Sequence, residues 1–554
     1  MKNEDIQPAA GKGIGLLIIC EVPFGGMEVI MKKKLVAVIL ATMVLCTACS
    51  SGKTSDVSSG KDSGSNDAQP TAGATADADS QKEAAEEPST YDFSDREPVT
   101  LKLYMFGDAD TAQCELVSEK LSEITREKLN CDVQLTRIGF GSYVTQLNLA
   151  LSSGEQIDVF SPFNLSTSTL ANSGQIKPLT KLLQTYGKET YEAISADDWA
   201  CHTVGDDIYA VPPNKDKAMD LGFMMRKDIV DELGIDLSQV KDFNGLHDVL
   251  VKVKEAHPDM YPAVPDFGNM LGYLEVDQLS DYFGVLLDPY TSDSLKVENL
   301  FESEYYKELC TMMYGWAKEG LLMPDASTNT ESGNNLIKSG KAFGRFSHMK
   351  VGFESENTNA IGMEIVTWKY APAISVTSKL SPAWCIGENT VDAERSMALL
   401  NLMYNDPEVS NLLINGVEGV HYQILDAQKG IIGYPEGKDA TTVGYARLPW
   451  GWPNEQISYL WQGDSETLWS DLNQFNLTAI QSPAKGFTFD NAMVLNEVTA
   501  CQNIYTKYNP ALLGGQLDPE ITIPKFVEEL KKAGIGTIIA EKQKQIDAWA
   551  ANKK

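Results

Sequence analysis

The chain has 554 residues, and its 46 Lys and Arg against 77 Asp and Glu give a formal charge of −31. So acidic a protein is poorly suited to bind nucleic acid, or to bind an anionic lipid surface through its folded part. The six cysteines that follow Cys49 include no C-x-x-C pair, and none lies near His at metal-binding spacing. The composition therefore predicts no zinc site, no redox motif and no nucleic-acid partner.

An export signal precedes the folded part. Three lysines at 32–34 are followed by an apolar run from 35 to 45, which at about 1.5 Å per helical residue is too short to span about 30 Å of hydrocarbon. The run ends at small residues directly before Cys49, an arrangement that resembles the lipobox of bacterial lipoproteins, except that Cys46 stands where Leu is usual. We predict lipidation at Cys49; the alternative is a plain secretory signal.

The segments around this signal are predicted to lie outside the fold. Residues 1–48 are a signal region, and Met31 is the predicted start of translation. Residues 1–30 are then upstream sequence translated by mistake, because the codons just before Met31 can encode a ribosome-binding site. Residues 49–97 are the lipidated cysteine and a disordered tether, since Val57 is the only large apolar side chain from 50 to 90. Such a tether lets a folded domain stand clear of the membrane.

The fold is predicted to start at Pro98 with alternating strands and helices. Apolar periodicity predicts strands over 99–105, 132–138 and 157–160, and helices over 111–129 and 143–151. This β-α-β-α-β order predicts a parallel sheet covered by helices. Ligands of such sheets bind beyond the carboxyl ends of the strands, which here means near Asp108 and residues 161–164.

The rest of the chain is predicted to be rich in helix. The predicted helices cover 242–257, 302–318, 393–404, 407–414 and 523–550. In the last of them, Pro524 suits a helix start and Gly534 a break. A chain of some 460 folded residues is too long for one hydrophobic core, so two or more lobes are expected.

Catalytic motifs are absent from the sequence. It contains no G-x-S-x-G elbow, Walker A loop, H-E-x-x-H or dinucleotide-binding glycine motif, and its five histidines are scattered. The sequence therefore predicts no enzyme, no cofactor and no metal ion.

Several stretches occur in the order typical of one family. They are 150–160 (ALSSGEQIDVF), 174–179 (GQIKPL), 208–212 (IYAVP), 224–235 (MMRKDIVDELGI) and 338–342 (KSGKA). Together with the lipobox and the tether, they resemble the extracellular solute-binding lipoproteins of ABC importers, in the cluster that includes the maltose-binding protein. Residues 415–549 resemble a subgroup that has its own C-terminal module.

This resemblance implies an α/β, two-lobed periplasmic-binding-protein-like fold with a hinge, an interlobe cleft, and a helix-rich second lobe and C-terminus. The expected boundaries are 98–212 for the first lobe, 213–371 for the second lobe, 372–450 for a return to the first lobe, and 451–554 for a C-terminal module on the second lobe. It also implies that the ligand binds in the cleft and that lobe closure presents it to a membrane permease.

The candidate ligand-binding residues combine aromatic rings, which stack on sugar faces, with polar groups that bond hydroxyls. Three tryptophans crowd into 448–461, where core packing is the alternative role. Other candidates follow predicted strands or belong to motifs of the resemblance. The full set is Asp108, Phe163, Asn164, Arg226, Phe346, His348, Trp384, Glu418, Tyr422, Trp450 and Trp452.

The predicted function is capture of a solute, most favourably an oligosaccharide, for delivery to the permease subunits of an ABC transporter. The protein is expected to be a monomer on the extracellular face of the cell membrane of a Gram-positive bacterium, held there by its lipid alone. Two alternatives stay open: the same fold binding a peptide or another solute, and a surface glycoside hydrolase.

Overall fold

A computed structural model describes residues 91–271, 274–376 and 382–552, all within the compact unit Ala84–Lys554. The predicted signal region, Cys49 and the tether up to residue 90 lie outside the described residues. Within the described ranges, no helix is both long enough and apolar enough to cross a bilayer.

The strands are short and spread along the whole chain. In chain order they are β1 (Val99–Phe106), β2 (Cys131–Ile138), β3 (Val159–Phe160), β4 (Thr203–Val204), β5 (Asp207–Ile208), β6 (Met219–Arg226), β7 (Tyr261–Ala263), β8 (Ala342–Met349), β9 (Ile365–Ser375), β10 (Cys385–Ile386), β11 (Gln423–Asp426), β12 (Ile431–Gly433), β13 (Leu460–Trp461) and β14 (Ile480–Gln481).

The helices fill the intervals between these strands. They are α1 (Thr111–Leu129), α2 (Phe140–Ser153), α3 (Thr167–Asn172), α4 (Thr180–Tyr186), α5 (Lys188–Ala193), α6 (Ala196–Ala200), α7 (Lys227–Glu232), α8 (Phe243–Ala256), α9 (Glu304–Lys318), α10 (Gly333–Lys338), α11 (Phe353–Ile361), α12 (Ala393–Asn405), α13 (Pro407–Asn415), α14 (Leu468–Thr478), α15 (Leu495–Leu513), α16 (Pro519–Ala533) and α17 (Ile535–Asn552).

The first lobe is built on a sheet of order β10-β3-β1-β2. β1 pairs in parallel with both β2 and β3, so the predicted β-α-β-α-β unit is confirmed, and β10 returns antiparallel to β3. Leu101, Leu103 and Met105 alternate along β1 and are fully buried under the helices. Parallel strands with helices between them place all their carboxyl ends at one edge of the sheet.

The first lobe begins earlier than the predicted start at Pro98. Phe93 is 3% exposed and belongs to the first-lobe core, where its ring packs against Tyr186. The Arg395 guanidinium lies over the same ring and donates to the Phe93 carbonyl. The seven residues from 91 to 97 include two aromatic residues, Tyr91 and Phe93, and their packing holds this otherwise polar segment on the first lobe.

The second lobe is built on a sheet of order β14-β9-β6-β8-β7. β6 lies at its centre, antiparallel to β8 and β9. Six of the eight residues of β6 are apolar or Gly, and they are buried on both faces of the sheet. The core of this lobe includes Phe223, Phe343 and Phe346 and continues without a break into the C-terminal helices. The chain crosses from one lobe to the other in the segments Val211 to Met219, Ser375 to Ala383 and Trp452 to Ile480.

The C-terminal helices differ from the prediction at their start. A helix begins at Pro519, where the Asp518 side chain accepts from the Glu520 amide, and Pro524 lies inside it. The predicted break at Gly534 is confirmed, since this residue has φ 101° and ends α16. The ammonium of Lys542 on α17 is buried in the second lobe, 2.7 Å from Asp281. The module is thus part of the second-lobe core.

Candidate functional site

The carboxyl edge of the first-lobe sheet carries the loops that face the second lobe. Asp108 follows β1, Phe140 follows β2, and Phe163 and Asn164 follow β3. A loop from far along the chain joins them, because the Ala446 amide donates to the Asp108 carbonyl over 3.2 Å. This edge is where the sequence predicts ligand binding, and it brings together residues from four parts of the chain.

Aromatic rings dominate the surface of this edge. We call Phe106, Phe140, Phe163 and Trp450 the aromatic cluster. The Phe106 ring lies at its centre, with centroid distances of 5.3 Å to Phe140, 4.5 Å to Phe163 and 5.3 Å to Trp450. Phe106 is buried, whereas the other three rings are half-buried. Half-buried rings at a lobe surface leave faces on which the apolar side of a ligand can stack.

The second lobe meets the aromatic cluster directly. The ring centroid of Phe267 lies 5.0 Å from that of Phe140. Next to this pair, Gly141 approaches the second lobe so closely that a Cβ would lie 2.7 Å from the Thr330 carbonyl oxygen. Phe267 has φ +47°, a strained conformation for an aromatic residue, and such strain is concentrated at functional sites. The two lobes are therefore closed on each other at this point.

Buried charges lie where the lobes are joined. We call Lys215, Asp216, Lys350, Glu356 and Glu455 the ionic cluster. The Lys350 Nζ lies 2.8 Å from Glu455, 3.3 Å from Glu356 and 4.0 Å from Asp216, and Lys215 pairs with Asp216 over 2.9 Å. The Lys215 Nζ is also 6.0 Å from the centre of the Trp450 ring, so the ionic cluster adjoins the aromatic cluster.

The charge states in the ionic cluster follow from burial and pairing. Burial raises the pKa of Glu455, and the positive charge of Lys350 only partly opposes this rise. Burial by itself lowers the pKa of Lys350, but the surrounding carboxylates outweigh it and raise that pKa. With three carboxylates and two ammonium groups, the cluster carries a formal excess of one negative charge.

A narrow cavity between the lobes borders the ionic cluster. Its lining includes Lys350, Glu356 and Glu455, together with Arg447 and Trp469. A larger cavity of about 430 Å³ lies away from the cleft, at the start of β7, among Lys254, Tyr261 and Tyr314. Only second-lobe residues line that larger cavity, so lobe closure cannot enclose a ligand there.

Buried hydrogen-bond donors without a protein partner also gather at the carboxyl edge. Within the part of the chain that the structure describes, these are Nε and Nη2 of Arg137, Oγ of Ser161, and Nε1 of Trp384 and Trp452. Arg137 lies near the end of β2, Ser161 follows β3, and Trp384 precedes β10. Buried donors usually have partners, so this concentration of unpaired donors beneath the edge is unusual.

The structure brings four predicted ligand residues to the cleft. Asp108 and Asn164 are exposed at the edge of the first-lobe sheet, and Phe163 and Trp450 belong to the aromatic cluster. Asn164 has φ +59°, a conformation that Asn tolerates better than most residues.

Three predicted aromatic residues lie instead in the hydrophobic cores. Trp384 and Trp452 are 0% and 1% exposed, and their rings stack with centroids 5.4 Å apart and 15° between planes. Phe346 is 2% exposed and packs 5.0 Å from Phe223 inside the second lobe. Their apolar surfaces are satisfied by the protein itself, and no face of these rings is open to a ligand in this arrangement.

The remaining predicted residues are spread over other surfaces. Arg226 ends β6 at the distal end of the sheet and makes a two-point contact with Asp228, at 3.0 and 2.6 Å. His348 is half-buried on β8, two residues beyond Phe346. Glu418 is exposed, and Tyr422 is buried in a small cluster with Ile432 and Trp461. Arg226 and Tyr422 thus have their partners outside the aromatic cluster.

The sequence prediction missed residues that the structure places at the centre of the cleft. Phe140 could have been found, because it directly follows a predicted strand at the carboxyl edge. No local sequence pattern marks Phe267 or the ionic cluster, because most of their partners lie more than 100 residues away along the chain. Among the described residues, no group of three or more His, Cys, Asp or Glu side chains is arranged to hold a metal ion.

Two family models match the chain. Residues 115–342 match the bacterial extracellular solute-binding protein family, and residues 483–551 match a domain of unknown function, DUF3502. The chain is also 27% identical over 466 residues to a carbohydrate ABC transporter substrate-binding protein of Streptococcus pneumoniae serotype 4, covering 82% of this chain and 91% of that one.

Solved structures match over the same extent. The N-glycan transport solute binding protein NgtS of Streptococcus pneumoniae, in complex with Man5GlcNAc, is 25% identical, with a TM-score of 0.74 over 83% of this chain and 100% of that one. The structure of NgtS described without a ligand gives a TM-score of 0.69 at the same identity and coverage.

The two-lobed α/β fold and the interlobe cleft are thus shared with bacterial extracellular solute-binding proteins. The family model matches residues 115–342, and the resemblance to the carbohydrate-binding relatives extends through both lobes and the C-terminal module.

Proposed function

We propose that this protein captures an oligosaccharide between its lobes and delivers it unchanged to the permease of an ABC importer. The relatives support both parts of the proposal, since one is a carbohydrate substrate-binding protein of an ABC transporter and the other carries an N-glycan. The observation that carries the assignment of the site is the aromatic cluster, which Phe267 of the opposite lobe completes.

The aromatic cluster fits the apolar side of a sugar. Pyranose rings present C–H faces that gain contact area on Phe163, Phe140 and Trp450, and rigid rings lose little conformational entropy on binding. The three rings are still half-buried with the lobes in contact, so stacking on a ligand would remove more of their apolar surface from water. In our proposal the ligand stacks on the first lobe, beside the place where Phe267 of the second lobe meets Phe140.

The polar groups around the cluster fit the hydroxyl side. Asp108 and Asn164 are exposed beside the rings and offer acceptors and donors. The cations of the ionic cluster are already paired: Lys350 with Glu455 and Glu356, and Lys215 with Asp216. This pairing leaves no ammonium of the ionic cluster to balance an added carboxylate, so the ionic cluster itself does not favour an acidic ligand.

We further propose that the protein acts without chemical change and as a monomer, held by a lipid on Cys49 at the outer face of the membrane. The lobe boundaries given in the sequence analysis belong to this proposal too, with the first lobe extended to include Phe93. A tether of some forty residues behind Cys49 would let the lobes reach the permease while they remain attached.

A thermal-shift screen tests the proposal. Purified protein is heated with a panel of neutral oligosaccharides, which includes Man5GlcNAc, and with matched acidic oligosaccharides and peptides. A ligand present at 100 times its Kd adds about 2.7 kcal/mol to the free energy of unfolding, which is readily seen as a rise in Tm. We expect a rise with a neutral oligosaccharide, and chromatography after prolonged incubation should recover it intact. Stabilisation by peptides alone, or shorter sugar products, would overturn the proposal.

A further inference from the structure

The C-terminal module contacts the first lobe as well as the second. Its core side chains Phe489 and Val494 are buried in the second lobe. In the same segment, residues 488–491 reach α3 and α6 of the first lobe, and Leu170 of α3 is buried in the first-lobe core. A segment that matches a domain of unknown function thus spans the boundary between the lobes at a point separate from the Phe140–Phe267 contact.

Four hydrogen bonds make this connection. Nδ2 of Asn172 donates to Oδ1 of Asp490 over 2.8 Å and to Oδ1 of Asn491 over 3.0 Å. Nδ2 of Asn491 donates back to Oγ1 of Thr169 over 2.8 Å. The hydroxyl of Thr488 donates to the Ala200 carbonyl over 2.5 Å. Asn491 is 2% exposed, so its amide is satisfied by the first lobe and not by solvent.

The module holds its side of this contact firmly. The Gln545 amide on α17 brackets the backbone of Asp490, with Nε2 donating to the Asp490 carbonyl over 2.7 Å and Oε1 accepting from the Asp490 amide over 2.9 Å. Because α17 is itself anchored in the second-lobe core through the buried Lys542, the position of residues 488–491 is set by that lobe.

The first-lobe side of the contact is the ligand-binding loop. α3 starts three residues after Asn164, and Phe163 of the aromatic cluster lies directly before Asn164. Thr169 and Asn172, the residues held by the module, lie within α3. Because only a few residues separate α3 from Phe163, a displacement of α3 would also move the Phe163 ring, which we propose stacks on the ligand.

We propose that the C-terminal module is a brace between the lobes: through Asp490 and Asn491 it holds α3, and with it Phe163, in the arrangement that binds ligand. Asp490, Asn491 and Gln545 are positioning residues, because they act through α3 and do not touch the ligand. This inference rests on the proposed function for the identity of the ligand, but not for the brace itself.

Two variants and their controls test the brace in the full-length protein. Asn491→Ala removes the bonds to Asn172 and Thr169, and Asp490→Ala removes the other acceptor for Asn172. Asp490→Asn keeps Oδ1 as an acceptor and should restore wild-type behaviour. Ser173→Ala is the matched control, because Ser173 is exposed and its hydroxyl bonds within its own segment, to Thr169, Leu170 and Gln175.

Two readouts separate the brace from the proposed function. Hydrogen exchange of the ligand-free protein should show faster deuterium uptake over 163–172 in both alanine variants, with uptake over β1 and β2 unchanged. Calorimetry with Man5GlcNAc should show a Kd raised about tenfold in Asn491→Ala, since a smaller fraction of the protein is then competent to bind.

Wild-type uptake over 163–172 in both alanine variants would overturn the brace, and so would faster uptake combined with a wild-type Kd. If the wild-type protein itself binds no oligosaccharide, the proposed function fails, and the exchange readout alone decides the brace. Tm is measured for every variant, so that global unfolding is recognised as uniform loss of protection across both lobes.

Discussion

Phe140 of the first lobe and Phe267 of the second lobe lie with ring centroids 5.0 Å apart, across the cleft that separates the two hydrophobic cores. Neither ring is fully buried, and the backbone of Phe267 has a positive φ. An aromatic contact that joins two lobes stabilises the closed arrangement rather than either lobe alone.

The first prediction concerns this contact. Phe267→Ala should weaken oligosaccharide binding by about three- to tenfold, because an aromatic pair contributes about 0.5–1.5 kcal/mol beyond its burial. Its effect on Tm should be small, since the Phe267 ring is only half-buried. Phe346→Ala is the contrasting variant: that ring is buried in the second lobe, so its loss should cost about 3–5 kcal/mol of stability. Equal losses of stability in the two variants would contradict the assignment of Phe267 to the cleft.

The second prediction separates the tryptophans. Trp384→Ala should lower the free energy of unfolding by about 3–5 kcal/mol, because Trp384 is fully buried against Trp452. Trp450→Ala should instead raise the Kd for the oligosaccharide with a smaller loss of stability, because Trp450 is half-buried in the aromatic cluster. Urea unfolding and calorimetry on both variants make the comparison. A Trp450→Ala variant with normal affinity would remove Trp450 from the site.

The third prediction concerns the ionic cluster. Lys350→Met leaves the buried Glu455 and the half-buried Glu356 without their cation, so it should cost about 3–5 kcal/mol at neutral pH. Lys120→Met is the control: its pair with Glu123 is exposed to solvent, so its loss should leave the stability nearly unchanged.

The pH dependence of that loss has a definite sign. Burial raises the pKa of Glu455 above its ordinary value of 4.5, so the folded state holds this proton more tightly than the unfolded state does. Stability therefore increases as the pH falls through the folded pKa toward 4.5, and the increase is larger without Lys350. Urea unfolding at pH 7 and at pH 5 should show the cost of Lys350→Met shrinking at the lower pH. A cost that grows on acidification would contradict the account of the cluster.

The fourth prediction concerns the anchor. Cys49→Ser should abolish incorporation of a tagged fatty acid and release the protein into the medium or leave it as an unprocessed precursor. Cys46→Ser is the control, because Cys46 lies before the predicted cleavage point and should leave labelling intact. Undiminished labelling of Cys49→Ser would disprove lipidation at this residue.

Local patterns in the sequence were enough to predict the first-lobe sheet. The alternation from Val99 to Met105 and the helical spacing from Thr111 to Leu129 are properties of neighbouring residues, and the structure confirms both elements. The break at Gly534 follows from one residue's conformational freedom. The start of α16 was predicted at residue 523 and lies at Pro519. Pro519 and Pro524 both suit the first turn of a helix, and the Asp518 cap decides between them.

Apart from Trp450, which was predicted from a tryptophan-rich loop, the site was predicted only where it follows strand ends. Phe163 and Asn164 come directly after β3, so the rule for parallel sheets located them. Trp384 and Trp450 have similar sequence surroundings, with Pro two residues or one residue before, yet one is core and the other half-buried. Which tryptophan finds a partner depends on Trp452 and on the packing of the whole lobe, and that is a tertiary property.

The central claim is that the cleft binds an oligosaccharide through the aromatic cluster, and one calorimetric experiment tests it most directly. Wild-type protein and Trp450→Ala are titrated with Man5GlcNAc and with a peptide mixture at the same concentrations. The account predicts saturable one-to-one binding of the oligosaccharide by the wild type, weaker binding by the variant, and no heat from the peptides. Binding of peptides without oligosaccharide binding, or the same oligosaccharide affinity in both proteins, would contradict it.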